Sequence, residues 1–463
     1  MIHIKNAAAV ITGTRKNSSG GYELEVLYNA DLLIKGTTIQ EVGKNLAAPS
    51  GTIIEEINAE NLVVTPGLVN THHHFYQTFT RNLPGAQNAE LFDWLVYLYD
   101  IWKYLDADSI WWSTALASAE LLKTGCTAST DHHYLYPESL EGDIMALQFD
   151  AAGTLGIRFA PTRGSMSRSK KDGGLPPDSV VQEEKTIMED SERVIKEFHD
   201  PDPLAMRKIA LAPCSPFSVS EDLMKQSAEL ARRYGVKLHT HLAETRDEND
   251  YCIKEYGRRP LKLMEDCNFT GKDVWFAHGI HFNDEELDLL AESGTSIAHC
   301  PSSNMRLGSG ICRVREMLDR DINVALAVDG SASNDTSDML GEARQALLLQ
   351  RVEKGAAALS TAEVWRIATE NGAELLGFQG AGRLEKGRAA DIAMFNIKDI
   401  PYIGAGSDPA AAMIFSGYSH KTEYTIVNGK IVVEKGFLTG IEESELIARA
   451  EEEVHALYRR AGL

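Results

Sequence analysis

The feature that most constrains this sequence is an alternation, over residues 62–352, of short apolar runs with longer amphipathic stretches. The short runs have the length of β-strands and lie at 62–70, 127–131, 157–161, 209–212, 236–241, 274–278, 296–299 and 323–329. Stretches with apolar residues at helical spacing follow most of them, for example 221–233 and 339–352. Strands that alternate with helices are typical of βα units and a parallel sheet, so eight such units predict a TIM-type (β/α)8 barrel.

Both ends of the chain have the pattern of β-structure. Short strand-like runs separated by Gly and Asn fill the first segment, and the last segment contains Asn428-Gly429, a dipeptide that favours hairpin turns. The sequence therefore predicts an α/β fold in which residues 65–380 form a distorted TIM (β/α)8 barrel. Residues 1–64 and 381–463 together form a small β-sandwich domain, and the chain ends in a helix.

Composition and charge exclude several classes of function. Lys plus Arg number 46 against 67 for Asp plus Glu, and a net charge of −21 repels a phosphate backbone, so we expect no nucleic-acid partner. The six cysteines have no paired spacing and the N-terminus lacks a signal-peptide pattern, which predicts a cytoplasmic protein with reduced thiols. No apolar run approaches the roughly 20 residues that a membrane span needs, so we expect no membrane association.

The carboxyl ends of four predicted strands carry metal-ligand side chains, and barrels of this type place their catalytic residues at those ends. The side chains are His72, His74, His239, His241, His278 and Asp329. Because alternate side chains of a strand share a face, His72 and His74 point to one centre, and the same rule pairs His239 with His241. Two imidazoles from the first strand, one from the fifth and the Asp329 carboxylate would supply four donors to a divalent ion such as zinc. The pattern therefore predicts a catalytic metal site with a position left for water.

These residues lie in motifs that resemble a known family. The stretch Pro66-Gly67-Leu68-Val69-Asn70-Thr71-His72-x-His74, then His241-x-x-Glu244, His278 and Asp329-Gly330, is similar to the amidohydrolase superfamily in its nucleobase and triazine deaminase branch. The resemblance covers essentially the whole chain, including the split β-domain and the stretches 299–304 and 387–392. It implies a metal-dependent hydrolase acting on the C–N bonds of cyclic amidines.

The resemblance also implies a role for each residue of the site. The family's metal ligands fall on His72, His74, His241 and Asp329, and its acid/base residues on Glu244 and His278. His239 then lies beside the ligands rather than among them.

The fourth predicted strand bears on the number of metal ions. Two-metal members of the superfamily need a bridging carboxylated lysine there, and residues 209–215 contain no lysine. Cys214 is the alternative bridging side chain in this stretch, and its other interpretation is a small buried hydrophobe. We expect one divalent ion, either Zn²⁺ or Fe²⁺.

Substrate class follows from less specific motifs. The stretches 131–134, 329–335 and 339–342 are most similar to 8-oxoguanine deaminases, which are also commonly labelled as hydroxy-triazine ethylaminohydrolases. This resemblance implies zinc-dependent deamination of an oxidised purine, with 8-oxoguanine converted to urate and ammonia. Deamination of isoxanthopterin or guanine, and hydrolysis of a hydroxy-triazine (alkyl)amine, remain alternatives. The stretch 213–218 lacks the arginine that guanine deaminases place before their Phe-Ser, which disfavours guanine.

The proposed chemistry needs an activated water and a proton for the ring nitrogen. Glu244 lies three residues beyond His241, close enough to take the water proton and pass it to the ring. We expect His278 and Asp329 to orient the water, stabilise the tetrahedral intermediate and help to protonate the departing ammonia. Asp329 would then act both as ligand and as proton carrier.

Four residues are candidates for contact with a flat heterocycle. Gln77 follows His74 by three residues and either binds a purine edge or caps a loop. Trp94 either stacks on the substrate or belongs to a helix core. His133 and Tyr134 end the second predicted strand and either bind an oxo group or support the metal ligands. The expected partner is thus a small heterocyclic molecule, and the family resemblance implies a homo-oligomer.

Overall fold

A computed structural model describes residues 1–18, 20–50, 53–417 and 420–463. Its strands are β1 (Ile2–Lys16), β2 (Tyr22–Lys35), β3 (Thr38–Gly43), β4 (Glu55–Asn58), β5 (Leu62–Pro66), β6 (Leu68–Asn70), β7 (Cys126–Ser129), β8 (His132–His133), β9 (Arg158–Phe159), β10 (Thr162–Ser165), β11 (Ala210–Pro213), β12 (Lys237–Leu242), β13 (Val274–His278), β14 (Ser296–His299), β15 (Val324–Leu326), β16 (Ile392–Asn396), β17 (Tyr424–Val427), β18 (Lys430–Glu434) and β19 (Phe437–Leu438).

Helices follow most of the parallel strands. They are α1 (Leu91–Trp102), α2 (Ala107–Lys123), α3 (Ile144–Leu155), α4 (Glu184–Phe198), α5 (Glu221–Tyr234), α6 (Arg246–Tyr256), α7 (Pro260–Asp266), α8 (Asp284–Ser293), α9 (Pro301–Arg306), α10 (Val314–Leu318), α11 (Met339–Lys354), α12 (Thr361–Ala368), α13 (Glu370–Leu376), α14 (Pro409–Phe415) and α15 (Glu443–Ala461). Short 3₁₀ helices lie at Phe75–Thr80, Pro84–Ala86, Lys170–Asp172, Asp178–Val180 and Ile400–Tyr402. In the part of the chain that is described, no helix combines the length and the apolar character needed to cross a bilayer.

Local sequence fixes where these helices begin and end. The Ser220 hydroxyl accepts a hydrogen bond from the backbone N–H of Leu223 and starts α5, and Gly235 ends that helix in the left-handed conformation, with φ 69°. β12 begins two residues later and carries His239 and His241. Capping thus sets the point at which the strand enters the sheet.

The strands of the predicted barrel form two parallel sheets. The larger sheet has seven strands in the order β15-β14-β13-β12-β11-β10-β8, and the smaller has the order β6-β7-β9. The second and third predicted runs, 127–131 and 157–161, contain β7 and β9, and a second short strand that was not predicted, β8 or β10, starts just beyond each run. The pairing therefore differs from the single eight-stranded sheet that the sequence predicts.

The two parallel sheets meet where the first and eighth predicted runs end. The N–H of Thr71 donates to the carbonyl of Leu326, and the N–H of Asp329 donates to the carbonyl of His72, at 3.2 and 3.1 Å. These bonds place the residues that follow β6 against those that follow β15. The carboxyl ends of both strands therefore lie side by side.

Both termini contribute to a separate nine-stranded mixed sheet, which confirms the prediction that the two ends of the chain pair. Its order is β19-β18-β17-β16-β5-β1-β2-β3, with β4 pairing β1. The first predicted run, 62–70, is divided between this sheet and the small parallel sheet, and Gly67 lies at the change. A Cβ at Gly67 would collide with the Thr127 side chain, so only glycine allows β6 to approach β7 this closely.

A buried ion pair joins the mixed sheet to the parallel strands. The guanidinium of Arg158 on β9 donates to both carboxylate oxygens of Asp391, at 2.8 and 2.9 Å, and Asp391 also accepts from the N–H of Asn428. Both side chains are almost completely buried. The pair fixes the position of the terminal sheet at the end of the parallel strands opposite to the histidines.

Candidate active site

Six imidazoles collect at the carboxyl ends of the parallel strands. The ring centroid of His72 lies between 4.7 and 5.7 Å from the centroids of His74, His132, His239, His241 and His278. All are buried apart from His241, which is partly exposed. Packing so many titratable rings together in the interior is costly unless they serve a ligand or a reaction.

The backbone turns sharply where these strands end. Ala243, His278 and Asp329 have φ values of 53°, 75° and 66°, a region that non-glycine residues seldom occupy. Each such residue costs about 1–3 kcal/mol and persists only where the surrounding structure holds it. At Asp329 the backbone N–H bond to His72 and the Gly330 N–H bond to the Asp329 carboxylate provide that support. Strain at three neighbouring strand ends is typical of a functional site.

The four predicted ligand side chains lie very close to one another. Nε2 of His74 lies 3.2 Å from Nε2 of His241, and the Asp329 Oδ1 atom lies 3.4 Å from Nε2 of His74. The same Oδ1 atom lies 3.3 Å from Nε2 of His72. The four predicted ligands therefore direct one donor atom each toward a common point.

Hydrogen bonds to the far side of each ring show which nitrogens carry lone pairs. Nδ1 of His74 donates to the carbonyl of His132 at 2.8 Å, and Nδ1 of His241 donates to the carbonyl of Cys214 at 2.7 Å. Because a neutral imidazole has one N–H, both Nε2 atoms then present lone pairs to each other. Nε2 of His72 is buried and has no hydrogen-bond partner among the described residues. Converging lone pairs and a carboxylate fit a bound divalent cation.

His132 is a member of this cluster that the sequence reasoning missed. Its ligand atom lies within 4.8 Å of those of His72, His74 and His241, and a second group of the same kind joins His72, His278 and Asp329. Side chains alternate along β8, so His132 faces the cluster while His133 faces away. His133 is buried and contacts the carbonyl of Leu135 through Nε2, at 2.6 Å, and it does not line the cavity beside the cluster.

Two carboxyl groups at the site have pKa values that are shifted in opposite directions from their ordinary values. Burial, followed by the charges of Asp329 and Glu248, raises the pKa of Glu244 well above its ordinary value. Burial also acts to raise the pKa of Asp329, but its interactions with His72 and with the neighbouring imidazoles His278 and His74 outweigh burial and leave that pKa well below the ordinary value. A carboxyl that readily takes up a proton, beside one that stays ionised, is an arrangement that suits acid/base chemistry.

His278 lies between these carboxyl groups and the short helix α9, which follows β14. Its Nε2 is 3.6 Å from Glu244 Oε2, and the side-chain amide of Asn304 donates to its Nδ1 at 3.0 Å. A neutral His278 therefore carries its hydrogen on Nε2, directed toward Glu244. Ser303, on the same helix, donates to Asp329 Oδ2 at 2.6 Å. Helix α9 thus orients both residues, a role for Ser303 and Asn304 that only their position beyond the seventh predicted strand hinted at.

Burial keeps the imidazoles in the form that binds metal. It lowers the pKa of His74 to about 3 and that of His278 to about 4. Only a neutral imidazole offers a nitrogen lone pair, so these rings are ready to act as ligands or as N–H donors at neutral pH.

A cavity opens beside the cluster. Its apolar wall is formed by Leu91, Trp94, Leu95, Tyr99, Phe217 and Leu307, and its polar groups include Gln77, Tyr134, Glu244 and Ser333. Enclosure by apolar and aromatic side chains with a few polar groups is typical of a site for a small, flat molecule.

The residues that are predicted to contact the substrate take different positions relative to this cavity. Gln77 lines it, and its Oε1 atom is buried without a hydrogen-bond partner among the described residues. A Cβ at Gly330 would collide with this amide, so glycine at that position leaves room for Gln77. Trp94 and Tyr134 also line the cavity, and the Trp94 indole N–H donates to the carbonyl of Ala332 at 3.2 Å. Burial raises the pKa of Cys214, another lining residue, to about 12, so its thiol stays protonated.

Comparison with known sequences gives consistent results. Residues 63–432 match the amidohydrolase family. An 8-oxoguanine deaminase from Pseudomonas aeruginosa is 43% identical over 454 residues, which cover 98% of each chain. A hydroxydechloroatrazine ethylaminohydrolase from Pseudomonas sp. (strain ADP) is 37% identical over 95% of this chain and 94% of its own, and an isoxanthopterin deaminase from an unknown prokaryotic organism is 34% identical.

The fold also matches a solved structure along its whole length. The crystal structure of the atrazine chlorohydrolase TrzN from Arthrobacter aurescens TC1, complexed with zinc, aligns with a TM-score of 0.91 at 31% identity. The alignment covers 98% of this chain and all of the other. The site described above therefore lies on a scaffold that is shared with zinc-containing enzymes.

Proposed function

Because the chain belongs to the amidohydrolase family and is a hydrolase acting on C–N bonds, we propose that it deaminates an oxidised purine. The proposed reaction converts 8-oxoguanine and water into urate and ammonia. The observation that carries it is Glu244, a buried carboxyl whose pKa is raised and which faces His278 at the rim of the cavity. A deaminase needs an acid/base group at this point because the ring nitrogen gains an electron pair, and must be protonated, as the water oxygen adds to the neighbouring carbon.

The residues that would hold the metal are His72, His74, His241 and Asp329. When bound, a divalent ion would act as a Lewis acid and lower the pKa of a water molecule. Zinc is supported by the zinc-containing relative and by the donor set of three imidazoles and one carboxylate, which also accepts Fe²⁺. We propose a single ion, since residues 209–215 offer no lysine to bridge a second one.

The side chains of the chain itself move the protons. Glu244 accepts a proton from the attacking water and delivers it to the ring nitrogen, which its raised pKa permits. His278, with its hydrogen on Nε2, donates to the oxygen that becomes the new oxo group and stabilises the tetrahedral intermediate. Asp329 transfers the second proton of the water to the departing amine, which leaves as ammonia.

We propose that Gln77, Trp94 and Tyr134 bind the heterocycle. The unpartnered Oε1 of Gln77 can accept a hydrogen bond from a purine edge. Trp94 already uses its indole N–H, so its contact would be through the ring. We leave His133 out of the substrate site, because its ring lies outside the cavity lining.

Three further features remain predictions. Backbone bonds between residues 71–72 and 326–329 support closure of the parallel sheets into a distorted (β/α)8 barrel. Six free, buried cysteines fit a reducing, cytoplasmic compartment. Exposed apolar side chains such as Val352 and Phe437 offer surfaces for a homo-oligomer.

Ammonia release from a panel of heterocycles tests the proposed substrate. We expect the highest kcat/KM with 8-oxoguanine and lower values with guanine, isoxanthopterin and hydroxylated triazines. The measurement is a coupled ammonia assay at matched substrate concentrations, with halide release from a chlorinated triazine measured in parallel. Equal rates across the panel would leave the choice of 8-oxoguanine unsupported, and halide release without any ammonia would contradict deamination itself.

A further inference from the structure

His239 is a completely buried side chain that the proposed reaction does not use. It lies on β12, two residues before His241. Its Nε2 atom is 2.8 Å from Nδ1 of His72, and its Nδ1 atom is 3.0 Å from the carbonyl oxygen of Trp275. His239 therefore connects one predicted metal ligand to the backbone of the neighbouring strand β13.

The positions of the hydrogens in this connection follow from simple chemistry. A carbonyl oxygen only accepts hydrogen bonds, so Nδ1 of His239 carries the hydrogen that faces Trp275. Nε2 of a neutral His239 then has a lone pair, and Nδ1 of His72 must donate to it. The remaining lone pair of His72 is on Nε2, the atom that lies 3.3 Å from Asp329 Oδ1.

The hydrogen-bond partner of Nδ1 distinguishes His72 from the other two imidazoles among the predicted ligands, His74 and His241. His74 and His241 donate from Nδ1 directly to backbone carbonyls, which no point substitution removes. His72 donates to a side chain instead. Among the three imidazole ligands of the described chain, His72 is thus the one whose orientation can be altered through a neighbouring side chain, His239, while the ligands stay intact.

Trp275 fixes the ring of His239 on its other side. The two rings stack with centroids 4.4 Å apart and planes inclined by 13°. The Trp275 indole N–H donates to the carbonyl of Thr71 at 3.1 Å, immediately before His72. His239 and His72 are therefore held against the same tryptophan, and a phenyl ring in place of the His239 imidazole would keep the stacking while losing both hydrogen bonds.

We propose that His239 is a positioning residue for the metal: it holds His72 in the tautomer and orientation that present Nε2 to the divalent ion. The inference rests on the proposed metal site and adds a residue that is not itself a ligand. Hydrogen-bond partners of metal-bound histidines typically contribute about 10–100-fold to metal affinity.

The test measures zinc affinity of the full-length protein by competition with a chromogenic chelator. We expect His239→Phe to bind zinc about 10–100-fold more weakly than the unaltered chain. His239→Gln, whose amide oxygen can accept from His72, should recover most of the affinity. His239→Asn has an amide too short to reach His72 and should lose affinity as His239→Phe does, which provides a second variant if the phenyl ring disturbs folding. The visible spectrum of the cobalt-substituted protein should shift in the Phe and Asn variants.

His299→Phe is the matched control. His299 is also fully buried, on β14, and neither of its ring nitrogens has a hydrogen-bond partner among the described residues, so zinc affinity should not change. Unchanged affinity in both His239→Phe and His239→Asn would overturn the proposal, as would an equal loss in His299→Phe. Absence of zinc binding by the unaltered chain would instead contradict the metal site on which the proposal rests.

Discussion

Replacement of Glu244 by glutamine should lower kcat by roughly 10²–10⁴-fold, the usual contribution of a general acid/base. Glutamine has nearly the same shape but cannot carry a proton between water and the ring nitrogen. The buried position of Glu244 and its raised pKa make it a group that readily takes up a proton and passes it on. Bound metal should be unchanged, because Glu244 is not among the proposed ligands. Steady-state ammonia release and metal analysis of the same preparations measure the two effects.

Glu255→Gln provides the control for this substitution. Glu255 lies on α6 and forms a partly exposed ion pair with Arg168 at 2.9 Å, away from the cavity. Its replacement should leave kcat within about twofold, since exposed ion pairs contribute little. A Glu244→Gln variant that kept more than a tenth of the original kcat would contradict the proton-transfer role.

Replacement of Asp329 by asparagine should abolish most turnover while the metal is retained. The amide oxygen of asparagine can remain in the position of Oδ1, beside Nε2 of His72 and His74, so the donor set is kept. Asparagine cannot transfer a proton to the departing amine, and we expect kcat to fall by roughly 10²–10⁴-fold. Metal content per chain and ammonia release are measured on one preparation.

Asp335→Asn is the matched control for Asp329→Asn, because Asp335 lies in the same loop. Asp335 accepts hydrogen bonds from Arg306 and from the backbone of Asn82, outside the metal cluster. The Asp335→Asn variant should retain both metal and activity. If Asp329→Asn lost the metal together with its activity, Asp329 would be a ligand whose proton-transfer role is unsupported, and if it kept full activity neither role would stand.

The placement of His72 and His74 could be predicted because one physical rule decides it. Two residues at i and i+2 on an extended chain share a face, whichever face that is. His132 and His133 are adjacent, so one of them faces the cluster and the other faces away, and the sequence does not say which. The pairing of β8 with β10 decides it, and β8 is a separate strand that begins only beyond the second predicted run.

The breaks themselves depend on tertiary contacts. Residues 62–70 have the pattern of one apolar strand, yet Leu62–Pro66 pairs with β16 and Leu68–Asn70 with β7. Both halves are buried, so hydrophobic pattern cannot distinguish them. The position of Ser303 and Asn304 beyond the seventh predicted strand indicates that they shape the pocket, but their contacts with Asp329 and His278 could not be predicted, because the placement of α9 after β14 creates them.

Anomalous diffraction from crystals of the purified, active protein, recorded at the zinc and iron absorption edges, tests the central claim most directly. We expect a single peak per chain, within about 2.0–2.2 Å of Nε2 of His72, His74 and His241 and of a carboxylate oxygen of Asp329. A peak at other residues, or active crystals with no peak at these four side chains, would contradict the proposal that they hold the catalytic ion.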